Sequence, residues 1–225
     1  MWEKELEEAI KAGQKAKVKI MEFYNSTFDV EIKSDDNHER LKNDYVWIVD
    51  PVDGTKDFIA RDGQFTVNIA LAYKHKLVVG VVIAPATDEM YYASKDNGSY
   101  YQNGNEKPVK IHVNDKLDDL TMMISVFHFA KEDEEYIARH SDKIKHVMKK
   151  GSSLKACVIA QGLAEVTYRT SKNTKEWDTA ACQIVVTEAG GLFVDLNGNE
   201  ITYNREDVYN RNGYMIANRK ENLLD

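Results

Sequence analysis

The feature that most constrains this chain is a short apolar strand that ends in a turn carrying two carboxylates. It begins at Trp47 and reads WIVDPVDGTKDF. Pro51 fixes its own φ and Gly54 permits a sharp bend. We therefore expect a buried strand that brings Asp50 and Asp53 close together. Carboxylates this close repel each other unless a cation lies between them, and hard cations such as Mg²⁺ prefer oxygen ligands. A purely structural Asx turn is the alternative that this pattern leaves open.

A second motif reads EWDTAA and contains Asp178. An aspartate near a helix start is usually a cap of that helix. Together with the first motif, however, Asp178 can supply a third carboxylate from a separate element. Three carboxylates that converge on one point would form a two-metal site for phosphoester chemistry. The hydroxyl of Thr55 would lie beside that site, and the N–H groups of the turn can meet an anion.

The hydrophobic pattern predicts two domains, 1–116 and 117–225. The first is α+β: apolar residues at helical spacing over 2–24 precede short strands with tight turns, typical of an antiparallel sheet. In the second, strands alternate with helices, which is typical of α/β structure. The predicted strands are 29–33, 45–49, 65–73, 77–84, 89–94, 99–102, 109–113, 122–126, 164–168, 192–195 and 214–217. The predicted helices of the second domain are 131–139, 152–161 and 178–189.

Composition excludes several function classes. The 30 Lys and Arg residues and 37 Asp and Glu residues give a formal net charge of −7, which disfavours binding to nucleic acid or to anionic membranes. The N-terminus lacks the apolar core of a signal peptide, and the most apolar run, 77–86, is about half a membrane span. Cys157 and Cys182 have no metal-binding spacing, which is typical of reduced thiols. We therefore expect a cytoplasmic protein that binds neither nucleic acid nor a membrane.

Taken in order, the two carboxylate motifs resemble those of the inositol monophosphatase-like superfamily of Mg²⁺-dependent, lithium-sensitive phosphatases. The run EAGG at 188–191 also matches that superfamily. The resemblance implies a layered αβαβα sandwich of the sugar-phosphatase type and two or three Mg²⁺ ions. It implies that the metal ligands are Asp50, Asp53, Asp178 and the carbonyl of Val52. Thr55 would help to aim the attacking water.

Further features of the sequence resemble those of the bacterial 3′(2′),5′-bisphosphate nucleotidases. These are Lys56 after the motif threonine, the run FTVNIAL at 65–71, the run GSSLK at 151–155, and Arg169. The resemblance implies an enzyme that removes the 3′(2′)-phosphate from adenosine 3′(2′),5′-bisphosphate, a by-product of sulfur assimilation, and that is a monomer or a homodimer.

The same resemblance implies which residues bind the substrate. These are Gly54, Thr55, His128, Ser152, Lys155 and Arg169. A serine at a helix N-terminus with a lysine and an arginine is a plausible anion pocket in an acidic protein. Ordinary solvated charge is the alternative for Lys155 and Arg169. His128 matches the nucleotidases, whereas Val126 and Phe127 replace the arginine and serine that they carry before it.

One piece of the family pattern is missing from this sequence. The family carries a Thr-x-x-Asp helix and a Glu-Glu loop before the first carboxylate motif, and here the chain passes directly from Asn37 to His38. Two explanations stay open: the deletion is real, or the sequence omits a segment that the protein contains. The first explanation favours a catalytically impaired protein that binds nucleotide or metal. An inositol or sugar monophosphatase of the same fold is a further alternative.

Overall fold

The computed structural model describes residues 1–25 and 38–224, and its first sheet contains six antiparallel strands. They follow one another in chain order, and the connections after β2 are short, whereas a helix lies between β1 and β2. The strands are β1 (Tyr45–Asp53), β2 (Thr66–Tyr73), β3 (Lys76–Ala84), β4 (Glu89–Ser94), β5 (Gly98–Asn103) and β6 (Val109–Ile111). The strand predicted at 29–33 lies outside the described residues, which resume at the 3₁₀ helix His38–Lys42.

The second sheet has five strands in the order β10-β11-β9-β7-β8, with β7 parallel to both β8 and β9. Its strands are β7 (Leu120–Ile124), β8 (Ile144–Lys149), β9 (Val166–Arg169), β10 (Leu192–Val194) and β11 (Tyr214–Ala217). β8 was not predicted, because its sequence, IKHVMK, has no alternation of apolar and polar residues. It is an edge strand, and most of its side chains are exposed.

Five α-helices complete the fold within the described residues. They are α1 (Glu3–Tyr24), α2 (Thr55–Ala60), α3 (Lys131–Arg139), α4 (Leu154–Ala160) and α5 (Glu176–Glu188). α4 and α5 lie between the two sheets in the largest apolar cluster, α1 covers the outer face of the first sheet, and α3 covers that of the second. The layers therefore follow the order αβαβα, which confirms the predicted sandwich.

The central layer needs an exceptionally close approach between α5 and the first sheet. A Cβ at Gly80 of β3 would lie 2.3 Å from Ile184 Cγ2 and 2.6 Å from the carbonyl oxygen of Ala181. Only glycine allows this contact. Because α5 belongs to the second half of the chain and packs on the sheet of the first half, the division at 116/117 remains a prediction.

The strand that carries the first carboxylate motif is buried on one face only, and this corrects our expectation of a buried strand. Tyr45, Trp47 and Val49 keep 57%, 47% and 49% of their surface exposed. They lie on the same face of the sheet as α1, but α1 packs on β2, β3 and β4. β1 is the edge strand beyond this cover, so its outer face remains open to solvent.

None of the described helices is long and apolar enough to span a membrane.

Candidate active site

Three carboxylates meet where the first sheet approaches the start of α5. Asp50 and Asp53 lie at the end of β1, where the pairing with β2 shifts register between the two residues. Asp178 lies in the first turn of α5. One carboxylate oxygen from each residue lies within 4.8 Å of the other two. We call this group the acidic wall, and its convergence is the arrangement that the two motifs predicted.

The acidic wall has the electrostatics of a cation site. Burial, and then the charges of Asp53 and Asp178, raise the pKa of Asp50 to about 8. Burial and the charge of Asp53 likewise raise the pKa of Asp178 to about 6. A cation between the carboxylates would remove this repulsion, and an all-oxygen set suits Mg²⁺. The residues present therefore fit the metal that the family resemblance implies.

The carboxylate of Asp53 is fixed by hydrogen bonds from α4 and β2. The backbone N–H and the hydroxyl of Ser153 both donate to Asp53 Oδ2 at 2.8 Å. Asn68 Nδ2 lies 3.3 Å from the same oxygen and Thr66 Oγ1 also lies 3.3 Å from it. Sequence reasoning missed Ser153, because we expected a serine here to cap a helix beginning at 152. The helix begins instead at Leu154, and Ser153 makes no side-chain capping bond.

The turn after Asp53 brings the backbone close to α4. Gly54 has φ +86°, and a Cβ there would lie 3.1 Å from the Cβ of Ser152. Thr55 follows as the first residue of α2 and its side chain is exposed at the cleft. Val52 is half-buried, and its N–H donates to Asp50 Oδ1 at 3.0 Å. Its carbonyl as a metal ligand remains a prediction.

Basic side chains line a cleft together with Asp53 and Asp178 of the acidic wall, and its volume of about 460 Å³ is typical of small-molecule sites. We call Lys155, Arg169 and His128 the basic wall. Lys155 Nζ donates to the carbonyl oxygen of Ser152 at 2.6 Å. Arg169 Nη1 donates to the carbonyl oxygen of His128 at 2.8 Å. Lys56, from α2, lines the same cleft.

Burial and like charges act on the basic wall. Burial lowers the pKa of Lys155, partly offset by the charge of Asp53. Burial also lowers the pKa of His128, and the charges of Lys56, Arg169 and Lys155 add to that effect. His128 is therefore neutral near pH 7. Neighbouring cations thus lower the pKa of Lys155 and His128. An anion bound among these side chains would relieve their repulsion.

The turn that joins the two walls was not predicted in detail. Ser152 has φ +44°, and its hydroxyl donates to the carbonyl oxygen of Gln64 at 2.8 Å rather than pointing freely into the cleft. Gly151 N–H donates to Gln64 Oε1 at 3.0 Å. Asp57 is buried beside this turn, and its Oδ1 has no hydrogen-bond partner among the described residues. Substrate binding by Ser152 remains a prediction.

The two cysteines are free and buried, as the sequence suggested. Cys182 lies in the floor of the cleft, and burial raises the pKa of its thiol to about 12. A thiol that stays protonated is a poor nucleophile and a poor metal ligand.

Comparisons with known proteins agree with this architecture. The family model described as the inositol monophosphatase family matches residues 2–224. The 3′(2′),5′-bisphosphate nucleotidase CysQ of Salmonella typhimurium is 38% identical over 171 residues, which cover 76% of this chain and 67% of that protein. CysQ of Escherichia coli K12 is 37% identical over the same shares.

Solved structures are similar over almost the whole chain. CysQ from Bacteroides thetaiotaomicron, described as a bacterial member of the inositol monophosphatase family, has a TM-score of 0.82 and 30% identity, and covers 94% of this chain and 96% of that chain. An inositol monophosphatase from Zymomonas mobilis has a TM-score of 0.80 over 99% of this chain and 95% of that one, but only 19% identity, so it supports the fold alone. The chain therefore belongs to the inositol monophosphatase family.

Proposed function

We propose that this protein is a Mg²⁺-dependent phosphomonoesterase that removes the 3′(2′)-phosphate from adenosine 3′(2′),5′-bisphosphate. The observation that carries the proposal is that one cleft is lined by Asp53 and Asp178, which converge with Asp50, and also by Lys155, Arg169 and His128. A substrate with two phosphates needs both kinds of surface. The Salmonella and Escherichia relatives bear the name of such a nucleotidase.

On the acidic wall, Asp50, Asp53 and Asp178 would hold the metal, together with the carbonyl of Val52. When bound, Mg²⁺ polarises a phosphate and lowers the pKa of a bound water. The chain's own residues supply the positioning. Gly54 would admit a phosphate to the backbone of the turn, and the Thr55 hydroxyl at the start of α2 would orient the attacking water.

On the basic wall, the non-reacting phosphate would accept hydrogen bonds from Lys155 and Arg169. Arg169 has five N–H donors, and its Nη1 already donates to His128. The remaining donors suit an incoming phosphate, which guanidinium groups bind in a bidentate manner. His128, with its lowered pKa, would hydrogen-bond the ribose or the base rather than carry charge.

A catalytically impaired binding protein is the second candidate. The sequence contains no counterpart of the family's Glu-Glu loop between Asn37 and His38, and the resemblance assigns a metal-binding glutamate to that loop. Intact-mass spectrometry of the expressed protein separates the two explanations for this gap. A mass of 25.7 kDa would mean a true deletion, whereas a mass larger by several kilodaltons would mean an additional segment.

The test of the proposed function is phosphate release in the presence of Mg²⁺ from a panel of adenosine 3′,5′-bisphosphate, inositol 1-phosphate and a sugar phosphate. We expect the bisphosphate to be hydrolysed with the highest kcat/KM. The Asp53→Asn variant should lose this activity, whereas Asp44→Asn, an exposed carboxylate just before the same strand, should retain it. Tight nucleotide binding without turnover would favour the impaired protein, and a preference for inositol 1-phosphate would favour an inositol phosphatase.

The monomeric or dimeric state, the number of Mg²⁺ ions and the cytoplasmic location are further predictions that accompany this proposal.

A further inference from the structure

We propose that Ser153 is a positioning residue that aims Asp53 at the metal, and that Asn68 and Thr66 hold Ser153 in the orientation this requires. This inference rests on the proposed function in one respect, which is that the acidic wall binds a divalent cation. It does not depend on which phosphate ester is the substrate.

The hydrogen bonds at Asp53 are concentrated on one of its two carboxylate oxygens. The Ser153 N–H and O–H both donate to Oδ2 at 2.8 Å, and Asn68 Nδ2 lies 3.3 Å from it. An oxygen with this many donors has few lone-pair directions left for a cation. Since none of the described residues gives Asp53 Oδ1 such a set of donors, Oδ1 is the oxygen that remains available to a metal.

The donors form a chain with a defined direction. Thr66 Oγ1 donates to Asn68 Oδ1 at 3.0 Å, which fixes the orientation of the Asn68 amide. Asn68 Nδ2 then donates to Ser153 Oγ at 2.9 Å. A hydroxyl accepts and donates at the same time, so Ser153 Oγ donates its own proton to Asp53 Oδ2 at 2.8 Å. The carbonyl oxygen of Asp178 is a competing acceptor at the longer distance of 3.3 Å.

Burial makes this chain rigid. Thr66, Asn68 and Ser153 are 0%, 1% and 5% exposed, so water does not compete for their hydrogen bonds. Hydrogen bonds to a charged acceptor in such surroundings are among the stronger ones in proteins. The three residues come from β2 and from the residue before α4, and they tie both elements to the carboxylate at the end of β1.

Positioning of this kind has a measurable consequence for the metal. Groups that hydrogen-bond a metal ligand orient it, and their removal typically weakens metal affinity by about 10–100-fold. A serine that only stabilised the fold would change the melting temperature without a specific change in metal affinity. Metal affinity therefore separates the two roles.

The experiment measures Mn²⁺ binding to the full chain in the absence of substrate, by electron paramagnetic resonance of the free ion. We expect Ser153→Ala to weaken Mn²⁺ binding by about 10–100-fold. Thr66→Val, which removes the hydroxyl that orients Asn68, should weaken it less but in the same direction. Ser99→Ala is the matched control, because Ser99 is fully buried in β5 and its hydroxyl has no partner among the described residues. It should bind Mn²⁺ as the wild type does.

Thermal melting of each variant without metal checks that it folds. If Ser153→Ala fails to fold, Thr66→Val decides the question alone. Wild-type Mn²⁺ affinity in the folded variants would overturn the inference, and so would an equal loss in Ser99→Ala. Absence of Mn²⁺ binding to the wild-type protein would also overturn it.

Failure of the proposed function would look different. A protein that binds Mn²⁺ more weakly after Ser153→Ala, but releases no phosphate from adenosine 3′,5′-bisphosphate, would support the positioning role and refute the substrate. A protein that hydrolyses the bisphosphate while Ser153→Ala binds Mn²⁺ normally would do the reverse.

Discussion

The acidic and basic walls of the cleft are built in opposite ways. Each carboxylate of the acidic wall accepts at least one backbone N–H: from Val52 for Asp50, from Ser153 for Asp53 and from Lys175 for Asp178. The cations of the basic wall instead donate to backbone carbonyls and retain unused donors. Backbone N–H groups therefore hold the carboxylates of the acidic wall in place before a metal binds. The basic wall instead keeps hydrogen-bonding capacity for a ligand. This difference suggests that one wall performs the chemistry and the other selects the substrate.

The largest effect should come from breaking the acidic wall. Asp53→Asn removes the charge that Ser153 and Asn68 hold in place. Loss of one preorganised electrostatic group in an active site typically costs about 10²–10³-fold in kcat, and we expect a loss at the upper end of this range. Steady-state phosphate release at saturating Mg²⁺ measures it. Activity within about twofold of the wild type would show that the acidic wall is not the reacting side.

Breaking the basic wall should instead change selectivity. Lys155→Ala and Arg169→Ala each remove hydrogen bonds to a charged phosphate, which contribute about 1.5–3 kcal/mol. We therefore expect kcat/KM for adenosine 3′,5′-bisphosphate to fall by about 10–100-fold, with little change for adenosine 3′-monophosphate. Lys149→Ala, an exposed lysine of β8, serves as the control. An equal loss on both substrates would contradict the division of roles.

A substitution in the turn that joins the two walls should have a smaller effect than the loss of a charged side chain from either wall. A Cβ at Gly151 would lie 2.2 Å from Asp57 Oδ1 and 2.8 Å from the carbonyl oxygen of Gln64. Gly151→Ala must therefore displace this turn, and overpacking of this kind costs about 1–3 kcal/mol in the free energy of unfolding. Chemical denaturation measures that cost. A variant as stable as the wild type, with both substrates unaffected, would show that the turn does not couple the walls.

A further expected effect is a dependence on pH of the stability of the metal-free protein. Burial and repulsion raise the pKa of Asp50 to about 8 and that of Asp178 to about 6, whereas both titrate near pH 4 when unfolded. Between about pH 4 and pH 8 the folded state binds more protons than the unfolded state, so the contribution of these groups to stability falls as pH rises.

Calorimetry in EDTA should therefore show a melting temperature that falls by several degrees over this range. Stabilisation by added Mg²⁺ should grow with pH, because the metal requires deprotonated ligands. A Mg²⁺ effect that is constant from pH 5 to pH 8 would contradict the coupling of the carboxylates to the metal.

The sequence predicts the acidic wall better than its surroundings. Asp50, Asp53 and Asp178 occur in local motifs whose chemistry requires them to converge, and they do converge. The role of Ser153 depends on the packing of α4 against β1 and β2, which no local pattern reveals. A serine before a helix usually accepts a backbone N–H as a cap. Here the Ser153 oxygen accepts from Asn68 Nδ2 instead, and its hydroxyl donates to Asp53.

Packing also explains the errors in the predicted fold. β1 has the composition of a buried strand, but its exposure depends on how far α1 extends over the sheet. No helix is predicted over α2, because it has only six residues and begins directly after Gly54. Both features are set by long-range contacts, whereas local periodicity fixes only the type of an element.

The position of the phosphate that leaves tests the central claim most directly. ³¹P nuclear magnetic resonance of the products of adenosine 3′,5′-bisphosphate, with Mg²⁺ present, identifies it without reference to any variant. If the acidic wall performs the chemistry while the basic wall retains the other phosphate, the products are inorganic phosphate and adenosine 5′-monophosphate. Formation of adenosine 3′-monophosphate, or no release of phosphate by a protein that binds both Mg²⁺ and nucleotide, would contradict it.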